Sequence, residues 1–204
     1  VQAPSGYQFH GEETKAFSAL ISEKTSGDNH PFVAAYRFLK YYVDTKNLAV
    51  EAKYTIPAPS QFYFELIRDQ EHVTKLTEIY PDFEELRYDI KAAYLQVIKD
   101  LVDDHFLSAW TQDQKKITEA VREDLSELLL RPNNDVYKNV PEGPLNKTHV
   151  CRGNYHSTWA SSGGYGPVAK ALFTDEAAKT YFLEFANKVS GSFEPLAAYR
   201  VLKK

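Results

Sequence analysis

The sequence contains no methionine and a single cysteine, and no apolar run in it approaches the length of a membrane span. A bilayer-crossing helix needs about 20 consecutive apolar residues, so no membrane-spanning helix is expected. The lone Cys151 excludes an internal disulfide and a multi-cysteine zinc site. That suits a reducing compartment, and equally an organellar or secreted protein that needs no covalent staple. Positive charge is also sparse, with 24 Lys and Arg against 28 Asp and Glu for a formal net charge of -4. No basic run or stripe interrupts it. A nucleic-acid partner or an anionic membrane surface is therefore not expected, because both need clustered cations. A chain without methionine that begins at Val1 is expected to have a trimmed start, through loss of a signal or transit peptide or through removal of an initiator methionine before a small residue; an organellar or secreted location is slightly favoured over a cytoplasmic one. Asn146-Lys147-Thr148 fits the glycosylation sequon, which matters only in a secretory setting.

Aromatic side chains are plentiful, with 14 Tyr, 12 Phe and 2 Trp in 204 residues. Rings bury large areas while tyrosine keeps a polar handle, so a ring-lined core or pocket is expected. The length suits one domain with a real hydrophobic core.

Hydrophobic periodicity is mostly helical. Glu12 to Lys24 reads as a helix with Phe17, Leu20 and Ile21 on one side. Asp28 or Asn29 is placed to cap the next helix, with Pro31 in its first turn and Phe32, Ala35, Tyr36, Leu39 and Val43 at helical spacing. Leu48 to Ile56 differs: Leu48, Val50, Ala52, Tyr54 and Ile56 alternate with polar residues, the period of a strand. A helix is expected from Ser60 to Tyr80, ended by Pro81. Asp82-Phe83-Glu84-Glu85 has the form of a capping box, in which Glu85 reaches back. The clearest amphipathic helix follows, through Phe83, Leu86, Ile90, Tyr94, Val97 and Leu101. A second capping pattern, Thr111 to Gln114, opens a helix that Pro132 should stop. A further helix is expected from Thr174 through Ala178, Phe182, Phe185 and Val189, and a last one near Pro195 to Leu202. The expected architecture is mainly or wholly α: an irregular antiparallel bundle of six to seven helices with one long irregular segment. All of residues 1–204 form a single helical domain. In it 131–147, rich in proline and asparagine, is an internal linker between a helical core at 12–130 and a C-terminal portion at 148–204.

Chemistry concentrates in the aperiodic stretch from Thr148 to Gly166. Long irregular loops in a helical domain often carry binding residues. Cys151 could act as a nucleophile with His149 or His156 as base, and Arg152 beside it would favour the thiolate and clamp an anion. His149, Cys151 and His156 could instead ligate zinc, although a fourth ligand is not evident. Trp159, Tyr155 and Tyr165, with Gly163 and Gly164, could line a ligand site, and a glycine loop ahead of a helix could hold an anion on its amides. Asp69 and His72 share a helix face and, with His105, are the other candidate metal ligands; a solvated acidic helix end is the bland reading of the Asp100 to His105 cluster.

Three functions follow as expectations. The first is a non-catalytic binding or interaction protein, whose partner is an apolar small molecule or another protein. The second is an enzyme centred on Cys151, His149, His156 and Arg152. The third is a metal- or haem-binding bundle using His72, His105 or His149. No motif in the sequence names a cofactor or a reaction.

Overall fold

A computed structural model describes residues 8–13, 20–102, 125–140, 147–185 and 187–199, and helix predominates among them. The chain enters through a short antiparallel hairpin, β1 (Gln8–Phe9) and β2 (Glu12–Glu13). The helix expected over Glu12 to Lys24 is absent where the chain is described, since Glu12 and Glu13 lie in the hairpin and residues 20–24 are irregular. Tertiary anchors override the modest helical pattern there. Ile21 packs on the main core, Lys24 pairs with Glu85, and the Thr25 amide donates to the Tyr80 hydroxyl at 2.7 Å. Gly27 makes this docking possible. A Cβ on it would lie 2.3 Å from the Ala93 carbonyl oxygen, so the loop reaches its neighbouring helix only as glycine.

Helix α1 (Pro31–Thr45) forms as its periodicity requires. Its cap is His30, whose Nδ1 accepts the Phe32 N–H at 3.3 Å. Asn29 instead takes the left-handed conformation (φ 54°) and Asp28 bonds Ser26, so neither expected cap is used. Residues 51–57 alternate between exposed and half-buried, the expected two-residue period, but pair with no other strand among the described residues. Tyr54 turns inward onto Phe32 and Tyr36 of α1 (ring centroids 5.3 and 6.4 Å), whereas Lys53 turns outward.

The helix expected over Ser60 to Tyr80 is two helices, α2 (Pro59–Leu66) and α3 (Gln70–Ile79). Asp69 divides them because its carboxylate accepts the His72 N–H at 3.0 Å, starting a new helix. Helix α4 (Phe83–Val102) matches its expected span. Asp82 caps it through the Glu84 N–H at 2.9 Å, while Glu85 pairs with Lys24 instead of closing the box. Tyr63, Leu66, Leu76, Tyr80, Leu86 and Ile90 form the core between these helices.

Helix α5 (Leu125–Tyr137) packs on α2 and α4 and continues through Pro132, the residue expected to stop it. Pro132 and Asn133 are buried, and two asparagines fix the far half of the helix. Asn133 accepts the Ser60 N–H at 2.8 Å and donates to Glu176 at 2.7 Å, while Asn134 accepts the Ala177 N–H at 2.6 Å. Thus the stretch that composition suggests as a linker begins inside a helix. The Thr111 to Gln114 pattern, His105 and Asn146 lie outside the described residues.

The C-terminal part departs most from expectation. β3 (Lys147–Val150) pairs in parallel with β6 (Thr180–Leu183), joining His149 to Phe182 and Val150 to Leu183. The helix expected from Thr174 to Val189 is replaced by a helical stretch ending at Asp175, followed by β6. Thr180, Tyr181 and Phe182 are β-branched or aromatic, and strand pairing uses them where isolated periodicity suggests a helix. A parallel pair is a component that an all-helical bundle lacks. Between its strands lie the hairpin β4 (Asn154–Tyr155) and β5 (Thr158–Trp159); after it comes the short α6 (Glu194–Ala198).

Candidate functional site

Alternate residues of a strand face opposite ways, so His149 and Cys151 share one side of β3 and its carboxyl-terminal exit. Both are exposed. The thiol is anchored by its own loop, where the Gly153 N–H donates to Cys151 Sγ at 3.3 Å. Gly153 has a φ of 69°, which lets the chain turn sharply directly after Cys151. One register step beyond the last strand pair, Cys151 stands opposite Glu184, whose N–H donates to the Val150 carbonyl at 3.3 Å. The Glu184 carboxylate accepts from Asn154 Nδ2 at 2.9 Å, the Arg152 N–H at 3.3 Å and Asn187 Nδ2 at 3.2 Å. The side-chain bonds from Asn154 and then Asn187 hold it below the usual carboxylate range. Sequence reasoning missed Glu184, because the run around it reads as helix and hides its place beside Cys151.

The opposite side of the layer is structural. Arg152 is buried, its guanidinium lies 4.5 Å over the Tyr165 ring, and Nη2 donates to the Gly163 carbonyl at 2.7 Å. It faces away from Cys151 and ties the glycine loop to β3, which is not the geometry of an anion clamp. Tyr165 is fully buried, packed on Phe173 and Phe185 (6.4 and 5.0 Å), with its hydroxyl donating to the Glu184 carbonyl at 2.9 Å. It is therefore a core residue that steadies Glu184. Gly163 and Gly164 are exposed; the Gly163 N–H is used by the Val189 carbonyl, and Gly191 packs closely on Gly164.

His156 sits exposed at the tip of the β4–β5 hairpin with a φ of 45°. Trp159 stacks on His10 of the entering hairpin at 4.7 Å, and the His10 N–H bonds the Trp159 carbonyl, so this ring closes the chain's start onto the β4–β5 hairpin. Tyr155 lies in β4. Asp69 and His72 do meet, His72 Nδ1 lying 2.7 Å from Asp69 Oδ1, but as the capping pair of α3 with His72 buried.

His149, Cys151 and Glu184 offer imidazole, thiolate and carboxylate, all donors that zinc accepts. Among the described residues, however, no group of three or more His, Cys, Asp or Glu is gathered closely enough to hold a metal ion. No helix of the described residues is long and apolar enough to cross a membrane.

The chain is 32% identical over 206 residues to the uncharacterized protein YxjH of Bacillus subtilis (strain 168). It is 28% identical over 206 residues to the uncharacterized protein YxjG of the same organism. Each comparison takes in 94% of this chain and 51% of the relative, so the chain spans about half the length of the curated relatives it matches. No protein-family model and no solved structure matches it.

Proposed function

We propose that the chain supplies one side of an enzyme's reacting centre, built at the carboxyl ends of β3 and β6 with Cys151 as its active group. The observation that carries this reading is the joint exposure of His149 and Cys151 on one strand face, with Glu184 opposite Cys151. Open sheets of parallel strands place ligands at their carboxyl ends. Cys151 is the nucleophile or soft-metal ligand, His149 the neighbouring base or second ligand, and Glu184 a fixed anion that orients either. The helices, in whatever antiparallel packing they complete, act as scaffold. The test is alkylation by iodoacetamide near neutral pH, followed by intact mass, with and without added zinc. Native Cys151 should react at least as fast as in the unfolded chain. His149→Ala should change the rate, and zinc should protect the thiol if the site is a metal site. A native thiol that reacts far more slowly than the unfolded one, untouched by His149→Ala, would refute the reading.

A second reading, a non-catalytic interaction protein, is favoured by the stripe of Phe38, Tyr41 and Tyr42 on α1, which are 73%, 68% and 50% exposed. Rings left in water at helical spacing suit a protein partner or an apolar molecule. Sedimentation of wild type against Tyr41→Lys tests it, since association through this stripe must weaken in the variant.

A further inference from the structure

We infer that the exposed side of the parallel layer is an interior face, covered by a polypeptide that contributes further parallel strands, of the kind the unmatched half of the two Bacillus relatives would supply. The inference does not rest on any chemistry at Cys151. Parallel sheets occur almost only with both faces covered, and a two-stranded sheet alone is marginal in water. Among the described residues the inner side of β3 and β6 is packed while the outer side is open. Lys147, His149, Cys151 and Phe182 are exposed there, Phe182 at 47%.

Residues 51–57 extend the same pattern. Glu51, Lys53 and Thr55 are exposed, whereas Ala52, Tyr54 and Ile56 are half-buried on the helix side. The Lys53 ammonium lies 5.3 Å from the centre of the Phe182 ring, which puts this segment's outer side on the same open face as β6. The segment has the alternation of a strand, it borders the layer, and it pairs with no strand among the described residues. Among the described residues no strand pairs with 51–57 or with the outer edges of β3 and β6, and more parallel strands would pair with them while covering the face. A second copy of this chain could meet the face only with an equally incomplete layer. The relatives carry about as much chain again within one polypeptide.

The experiment is hydrogen–deuterium exchange read by mass spectrometry. It compares this chain alone with a chimera in which the chain replaces the matched stretch of YxjH. Alone, the amides of 51–56 should exchange as in an unstructured peptide; in the chimera they should slow by about ten-fold or more, because protection follows the stability of the pairing. The same protection should appear when the unmatched segment of YxjH is added in trans. Phe182→Asp, at an exposed position the chain's own core does not use, should remove it. Tyr88→Asp, at an exposed position of α4, should leave it intact. Fast exchange of 51–56 in the chimera would overturn the inference. So would equal protection in the chain alone through self-association, or protection confined to α1. Alkylation of Cys151 is a separate readout, so failure here and failure of the proposed enzyme centre are distinguishable.

Discussion

Replacing Tyr80 with phenylalanine tests how the irregular segment at 20–28 is held to the helices. The ring of Tyr80 is fully buried, so the substitution keeps the packing and deletes one oxygen. That oxygen accepts the Thr25 N–H at 2.7 Å, donates to Asp89 Oδ2 at 2.8 Å and lies 3.2 Å from Thr25 Oγ1. A neutral hydrogen bond contributes about 1 kcal/mol net, and one to a charged acceptor about 1.5–3 kcal/mol. Asp89 is only half-buried and regains water in the variant, so its bond counts at the low end. The expected loss is about 2–3 kcal/mol, or a fall in Tm of roughly 5–10 °C for a domain of this size. Urea unfolding followed by circular dichroism, with calorimetry for Tm, measures both. Tyr88→Phe is the control, because Tyr88 is 67% exposed and should be silent. A Tyr80→Phe loss below about 0.5 kcal/mol would show that this bridge does not hold the segment in solution.

Two further outcomes follow from the inner side of the layer. Burial holds the Glu176 carboxyl above its usual range, with the hydrogen bond from Asn133 opposing the shift. A raised folded value means that stability is fullest below the unfolded value of about 4.5 and declines as pH climbs through the folded one; Glu176→Gln should flatten that slope in urea melts between pH 4 and 8. Arg152→Lys keeps the charge but loses the planar fork stacked on Tyr165 and bonded to Gly163, so it should cost about 1–2 kcal/mol in the same melts.

Helices α1 and α4 were legible in the sequence because their apolar stripes are long and their buried faces answer to local spacing. Elsewhere tertiary partners decided the outcome. The break between α2 and α3 depends on Asp69 capping a new helix, and from spacing alone Asp69 and His72 look equally like metal ligands. Helix α5 runs through Pro132 because Asn133 and Asn134 are bonded to Ser60, Glu176 and Ala177, residues more than forty positions away. The stretch around β6 reads as helical because Ala178, Phe182, Phe185 and Val189 happen to fall at steps of three and four. Only a partner strand reveals the two-residue period, and with it the place of Glu184. His149 and Cys151 were found by residue type. What the sequence could not show is that Arg152 and Tyr165 belong to the opposite side.

This division between sides governs how the C-terminal part should be interpreted. Arg152, Tyr165, Tyr181 and Glu176 lie inward and meet partners within the chain, so substitutions there should first be measured as stability. Lys53, His149, Cys151 and Phe182 lie outward, with the Lys53 ammonium 5.3 Å from the centre of the Phe182 ring. An exposed aromatic at the centre of a strand is costly to leave in water and contributes little to this chain's own core. The same exposure that makes Cys151 available to a reagent makes Phe182 available to a covering strand. A face selected only for solubility would carry neither residue. An exposed thiol and an exposed ring on one parallel layer are what the proposed covering strands would account for.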